Sequence, residues 1–295
     1  MPVVRRRRDG RGEGAEAAQV RDGRSAGPAA QAAAGLPGAG GSAPGRPVSG
    51  GRGGPAGSAQ RRAVPVSDEG LPDWLAPVAE AAGRLRPEQL TRFLPPSQGG
   101  RQSAVLVLFG DAAAQPAGRA PVGETRSDPY LLLMERSSTL RSHAGQPSFP
   151  GGALDPEDGD PEGDGPLRAA LREAEEETGL DPSGVRVFGV LPKLYIPVSG
   201  FVVTPVLGWW HEPTPVAAVD SGETARVFTV PVAELADPAN RGTAVHPSGY
   251  RGPCFLVDGA LVWGFTAGVI DRILHHVGWE RPWDRERTMP LERHT

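Results

Sequence analysis

The stretch "REAEEETGL", residues 172–180, carries an arginine and four glutamates in its first six positions. Like charges this close on a helix repel by roughly a few tenths of a kcal/mol per pair, so the cluster calls for a compensating cation or for free solvation. On a helix, Glu173, Glu176 and Glu177 stand at i, i+3 and i+4 and share one face. Glu175 points elsewhere, into solvent, and Arg172 lies four residues before Glu176, close enough to pair. Leu167, Ala170, Leu171 and Ala174 supply the inward side, and Gly179 falls where a left-handed C-cap would end the helix. Three carboxylates converging on one spot suit a hard divalent cation; magnesium prefers oxygen ligands and commonly brings a phosphate with it. A glutamate-rich face alone is more often plain solvated surface. The "SFPGG" run at 148–152, just upstream, favours the metal-site reading.

Outward from this helix the chain reads mostly as strands. "AVLVLFG" (104–110) and "PYLLLMER" (129–136) precede it, with a long Gly/Ala/Pro-rich loop between them. "VRVFGVL" (185–191), "FVVTPVLGWW" (201–210), "ARVFTVPV" (225–232), "CFLVDG" (254–259) and "LVWGF" (261–265) follow it. An amphipathic helix is predicted over 73–85, with Asp73 as N-cap and Trp74, Leu75, Val78 and Ala82 on one side. A second is predicted over 266–278, where Ala267, Val269, Ile270, Ile273, Leu274 and Val277 recur at helical spacing. Many strands with a central and a terminal helix define an α+β domain.

Composition sets the borders of that domain. Residues 1–62 contain no aromatic residue and hold eleven arginines against four acidic residues; the chain as a whole carries −4, so the remainder carries −11. Such a Gly/Ala/Pro/Arg head buries too little apolar surface to offset chain entropy. The expected organisation is a disordered extension over 1–65, a folded domain over 66–285 and a short tail over 286–295. Acidic residues interrupt the Arg5–Arg8 run and no amphipathic period emerges, which argues against organelle targeting. The head also lacks interleaved aromatics, so no nucleic-acid partner is expected. No apolar run reaches 18 residues, and a single cysteine, Cys254, excludes an internal disulfide framework. A cytoplasmic protein without a membrane partner is expected.

"REAEEETGL" resembles the core of the Nudix box, R-E-U-x-E-E-x-G-U with U a bulky apolar residue. Ala174 is a small occupant of the first U, Leu180 fills the last, and Gly151 and Gly152 form the glycine-rich approach. The general pattern has a further glutamate eight residues before the arginine, and Asp164 stands at that position here. Arg172 lies 20 residues after Gly152, several more than the box allows, so "DPEDGDPEGDG" (155–165) reads as a loop expansion. "LLLMERSSTLRSHAGQPSFPGG" (131–152) in turn resembles the signature that precedes the box in coenzyme A diphosphatases. "GVLP" (189–192), "GFVVTPVLG" (200–208) and "LVWGFTAGVIDRIL" (261–274) are similar to that family as well.

The resemblance implies a Nudix fold, a mixed β-sheet sandwiched between α-helices. It implies hydrolysis of coenzyme A to 4′-phosphopantetheine and adenosine 3′,5′-bisphosphate, with Mg²⁺ or Mn²⁺ held by Glu173, Glu176 and Glu177. Glu173, Glu176, Arg172 and Glu223 would be catalytic, Arg172 by orienting Glu176 and Glu223 as a candidate base. Arg136, Arg141, His143, Gly151 and Gly152 would meet the substrate, arginine's planar fork suiting phosphate oxygens. The alternatives are another nucleoside diphosphate derivative (an ADP-sugar, a dinucleoside polyphosphate or an oxidised nucleotide) and a non-catalytic nucleotide-binding regulator. An intact carboxylate set speaks against the regulator.

Overall fold

The computed structural model describes residues 63–111, 129–139, 145–247 and 249–291. The chain opens with a 3₁₀ turn at Asp73–Leu75, then α1 (Ala76–Arg84) and the short α2 (Pro87–Leu90). Asp73, expected as an N-cap, lies inside the 3₁₀ turn and makes no capping hydrogen bond, because Pro72 takes the cap position. β1 (Arg101–Asp111) and β2 (Pro129–Arg136) follow the apolar runs, and β3 (Pro147–Ser148) and β4 (Gly151–Ala153) flank the "FP" bend. The central helix is α3 (Gly165–Thr178), ended by Gly179 in the left-handed region at φ 68°. After it come β5 (Val185–Val190), β6 (Leu194–Ile196), β7 (Phe201–Trp210), β8 (Thr224–Pro231) and α4 (Val232–Ala236). β9 (Arg241–Val245), β10 (Arg251–Val257), β11 (Ala260–Val262), α5 (Gly264–His276) and β12 (Thr288–Pro290) complete the chain.

The main sheet is mixed. β1 and β7 run parallel at its centre, from Arg101 against Phe201 to Phe109 against Trp209, and β2, β4, β5, β6 and β8 add antiparallel. A strand covered on both faces reads as a continuous apolar run, and β1 is buried without a break from Ser103 to Gly110. Val105, Val107 and Phe109 enter one core with α1 and α5. Ala104, Leu106 and Leu108 enter the other, against Leu167, Ala170 and Ala174 of α3. The fold is thus α+β, a sheet between helices.

A second sheet runs β11-β10-β9-β12. Asp258 and Gly259 turn β10 into β11 with φ of 51° and 73°, the double positive φ that two-residue hairpins require. "LVWGF" is not a strand to its end: β11 stops at Val262, and Gly264 already begins α5. β12 lies inside the stretch read as a tail and pairs in parallel with β9. The fully buried Arg241 ties this sheet to α5 through an ion pair to Asp271 and to the segment after α5 through one to Glu280. Among the described residues no helix is long and apolar enough to cross a membrane.

Candidate active site

The "SFPGG" bend and α3 meet at two glycines. Gly151 has φ 155°, and a Cβ there would stand 2.3 Å from the Ala104 carbonyl oxygen; a Cβ on Gly152 would stand 2.4 Å from the Glu173 carboxyl carbon. At Gly151 the obstacle is backbone, so only glycine permits the approach, whereas at Gly152 it is the end of the Glu173 side chain. The Gly151 N–H donates to Glu177 Oε2 at 2.9 Å, so the glutamate at the end of the cluster is clamped to the bend.

Arg172 is the hub of the helix's exposed side. Its Nη1 reaches Glu173 Oε1 at 2.9 Å and Glu176 Oε2 at 3.1 Å, and its Nη2 donates to the Ala153 carbonyl at 3.2 Å. Its firmest partner is Asp158, which accepts from Nε at 3.2 Å and from Nη2 at 2.9 Å. That hydrogen-bonded partner, ahead of the charge of Glu173, holds the guanidinium protonated. Asp158 is buried and was not singled out in the sequence. Counting back from Arg172 leads to Asp164, whereas the acid that meets Arg172 is Asp158. Asp164 instead pairs with Arg168 at 3.1 Å. The expanded turn therefore lies between Asp158 and Gly165, after the acid that meets Arg172.

The three carboxylates differ in setting. Glu176 is exposed, Glu173 half-buried and Glu177 buried. Burial raises the Glu173 carboxyl above its ordinary range, opposed by Arg172. Burial pushes Glu177 up to about 8; the Gly151 N–H and Arg136 oppose this, and the charges of Glu173 and Glu223 add to it. Glu177 faces the bend and not open solvent, although it shares a helix face with Glu173 and Glu176.

Arg136 ends β2 and is only 7% exposed. Among the described residues its Nε has no hydrogen-bond partner. Burial lowers its pKa, and the charges of Glu177 and Glu223 counter that. Glu223 is exposed in the turn before β8, and its carbonyl accepts the Ser137 N–H at 2.8 Å. The turn is thereby stitched to the end of β2. The structure thus brings Arg136, Gly151, Gly152, Arg172, Glu173, Glu176, Glu177 and Glu223 to one end of the main sheet. Arg141 and His143 lie outside the described residues.

As a donor set for a metal these side chains offer carboxylate oxygens only, the chemistry of a hard divalent cation. The desolvated charge of Glu173 and Glu177 points the same way, since a cation would offset it. The carboxylates are not gathered into a cage: among the described residues no group of three or more His, Cys, Asp and Glu side chains stands ready to hold an ion.

A NUDIX domain model matches residues 117–248. The relative named Uncharacterized Nudix hydrolase NudL, from Cronobacter sakazakii (strain ATCC BAA-894), is 40% identical over 185 residues, covering 62% of this chain and 85% of its own length. NudL of Escherichia coli (strain K12) is 38% identical over 190 residues, covering 60% and 83%. Among solved structures, the Nudix hydrolase RenU of M. smegmatis aligns with a TM-score of 0.40 at 18% identity, over 64% of this chain and 92% of that one. The chain belongs to the Nudix hydrolases, enzymes that generally use divalent metal ions.

Proposed function

We propose that the chain is a coenzyme A diphosphatase: with Mg²⁺ or Mn²⁺ it hydrolyses coenzyme A, or a derivative, to 4′-phosphopantetheine and adenosine 3′,5′-bisphosphate. The observation that carries the reading is Arg136. It is part of the coenzyme-A-type signature, and it sits buried beside Glu177 and Glu223 with an unpartnered Nε. A buried guanidinium with a spare donor at a carboxylate site suits a diphosphate oxygen.

In this reading Glu173, Glu176 and Glu177 hold the cation, which supplies charge against the diphosphate and makes water easier to deprotonate. Arg172, anchored on Asp158, fixes the side chains of Glu173 and Glu176. The Gly151 N–H fixes Glu177. Glu223, outside the carboxylate triad and held near Arg136 by the Ser137 contact, takes the proton of the attacking water. Water then adds to phosphorus as the phosphoanhydride P–O bond breaks, and the departing phosphate leaves as an anion. Arg141 and His143, together with Gly151 and Gly152, complete the substrate contacts.

The test is a side-by-side assay of the full chain on coenzyme A, ADP-ribose and 8-oxo-dGTP, with and without Mg²⁺ or Mn²⁺, with products identified by mass. Metal-dependent release of 4′-phosphopantetheine, at a kcat/KM above the other two substrates, is the expected result. A higher kcat/KM on either competitor would overturn the coenzyme A assignment.

A further inference from the structure

Gly268 stands in the middle of α5, where glycine is a poorer helix former than alanine. Nothing lies within 4 Å of where its Cβ would be. The space it faces is a cavity of about 150 Å³, open on one side. Leu90 and Phe93 reach it from the α2 segment, Leu194 and Ile196 from β6, and Phe265 and Val269 from α5. Tyr250 closes one wall, but its hydroxyl already accepts the Gly264 N–H. A ligand rich in hydrogen-bonding groups would lose its water here without recovering partners. Phe93 forms part of the rim, and the exposed Arg92 guanidinium lies 4.8 Å from its ring centroid. No acid of the described residues pairs with that cation. The walls belong to the core shared with α1 and α5, whereas α3 packs on the other core, so the cavity opens on the sheet face away from the glutamates.

We propose that this cavity is a second ligand site, which takes an aliphatic chain and sets its anionic head against Arg92. An apolar cavity of about this volume admits a benzene-sized group, which sets the buried part at about six carbons. The occupant is a free medium-chain carboxylate, because the acyl chain of a thioester carries no anionic head to meet Arg92. The site does not depend on the coenzyme A reading, because its first test uses neither coenzyme A nor metal.

Calorimetric titration of the full chain with octanoate and butanoate provides that test. Octanoate should bind at least about tenfold more tightly, since each further buried methylene adds apolar contact. Gly268→Leu, which places a side chain in the open space, should weaken octanoate at least about tenfold while the Tm holds or rises. Phe93→Asp, a change at an exposed rim position, should weaken it as well by opposing the head group. Kinetics supply a further check: a KM raised by Gly268→Leu for octanoyl-coenzyme A but not for coenzyme A would give the cavity to a thioester's acyl chain and overturn the assignment to a free carboxylate. Octanoate binding with both KM values unmoved assigns it to the free carboxylate. Equal affinity for the two acids, no binding of either, or parent-like octanoate binding in both variants overturns the proposal.

Discussion

Replacing Asp158 by asparagine removes one charge from a buried pair and leaves the shape almost unchanged. Its carboxylate accepts two hydrogen bonds from Arg172, at 3.2 and 2.9 Å, and one from its own turn, the Asp155 N–H at 2.9 Å. Breaking a buried ion pair from one side costs about 3–5 kcal/mol when the survivor has no other partner. Arg172 keeps Glu173, Glu176 and the Ala153 carbonyl and is 26% exposed, so about 2–3 kcal/mol is the expected loss, in the range of a charged hydrogen bond. For a domain of this size that lowers the Tm by about 5–10 °C. Arg172 would also hold Glu173 and Glu176 less firmly, and kcat should fall by about tenfold or more. The control is Asp164→Asn, which removes an equal charge but only a partly exposed i,i+4 contact to Arg168, worth under about 1 kcal/mol. Thermal denaturation and turnover on the two variants decide the matter. If Asp158→Asn melts with the parent, or if Asp164→Asn falls as far, Asp158 does not anchor the helix.

Glu176→Gln and Glu177→Gln should each lower kcat by about a hundredfold or more with metal present, because each removes a charge acting on the transition state; near-parent turnover would remove that residue from the ligand set. In chelator, Glu177→Gln should also change the pH dependence of the Tm. The folded carboxyl keeps its proton up to about 8 against an ordinary 4.5, so the parent's stability advantage at low pH is lost as pH rises through that window. Parent and variant should melt alike below pH 4.5, and above pH 8 the variant should be more stable by at most about 5 kcal/mol; a gap that does not change with pH refutes this. Arg136→Ala should cut kcat/KM by about ten- to a hundredfold on coenzyme A and dephospho-coenzyme A alike, as a lost diphosphate contact would. A loss on coenzyme A alone would move the contact to the 3′-phosphate.

The strands that sequence showed best are those with the strongest burial. β2 and β7 match the apolar runs 129–136 and 201–210 residue for residue, because both are covered on two faces. α3 was readable for the same reason, with a small apolar side and a glycine stop. β6, β9 and β12 have three to five residues each, and β9 is "RGTAV". Nothing in such segments marks a strand; β9 forms because β10 and β12 pair with its two edges. The position of Gly264 could not be read from an apolar alternation that ran on to Phe265. In the candidate site, i, i+4 spacing made the Arg172–Glu176 pair visible. The burial of Glu177 was hidden, because it depends on a bend 26 residues away in sequence. Asp158 was hidden by the inserted turn, which broke the count back from Arg172.

That turn also has a bearing on how the chain tolerates change in length. Asp158 has already gripped Arg172 before the turn departs, and the chain rejoins the helix where the Gly165 N–H meets the Asp160 carbonyl at 3.0 Å. Both ends of the segment are fixed independently of what joins them. Its outward point is held by Lys193, on the Pro161 carbonyl at 3.2 Å and on Glu162 at 2.5 Å, and by local bonds from the Glu162 and Gly163 N–H groups to Asp160. A longer linker between Asp160 and Asp164 would pay only loop-closure entropy, about 0.6 kcal/mol for each doubling. The register of the glutamates would stay put. The segment is therefore a natural insertion point, where a reporter peptide or a crystallisation handle can be carried without disturbing Arg172 and the glutamates beside it.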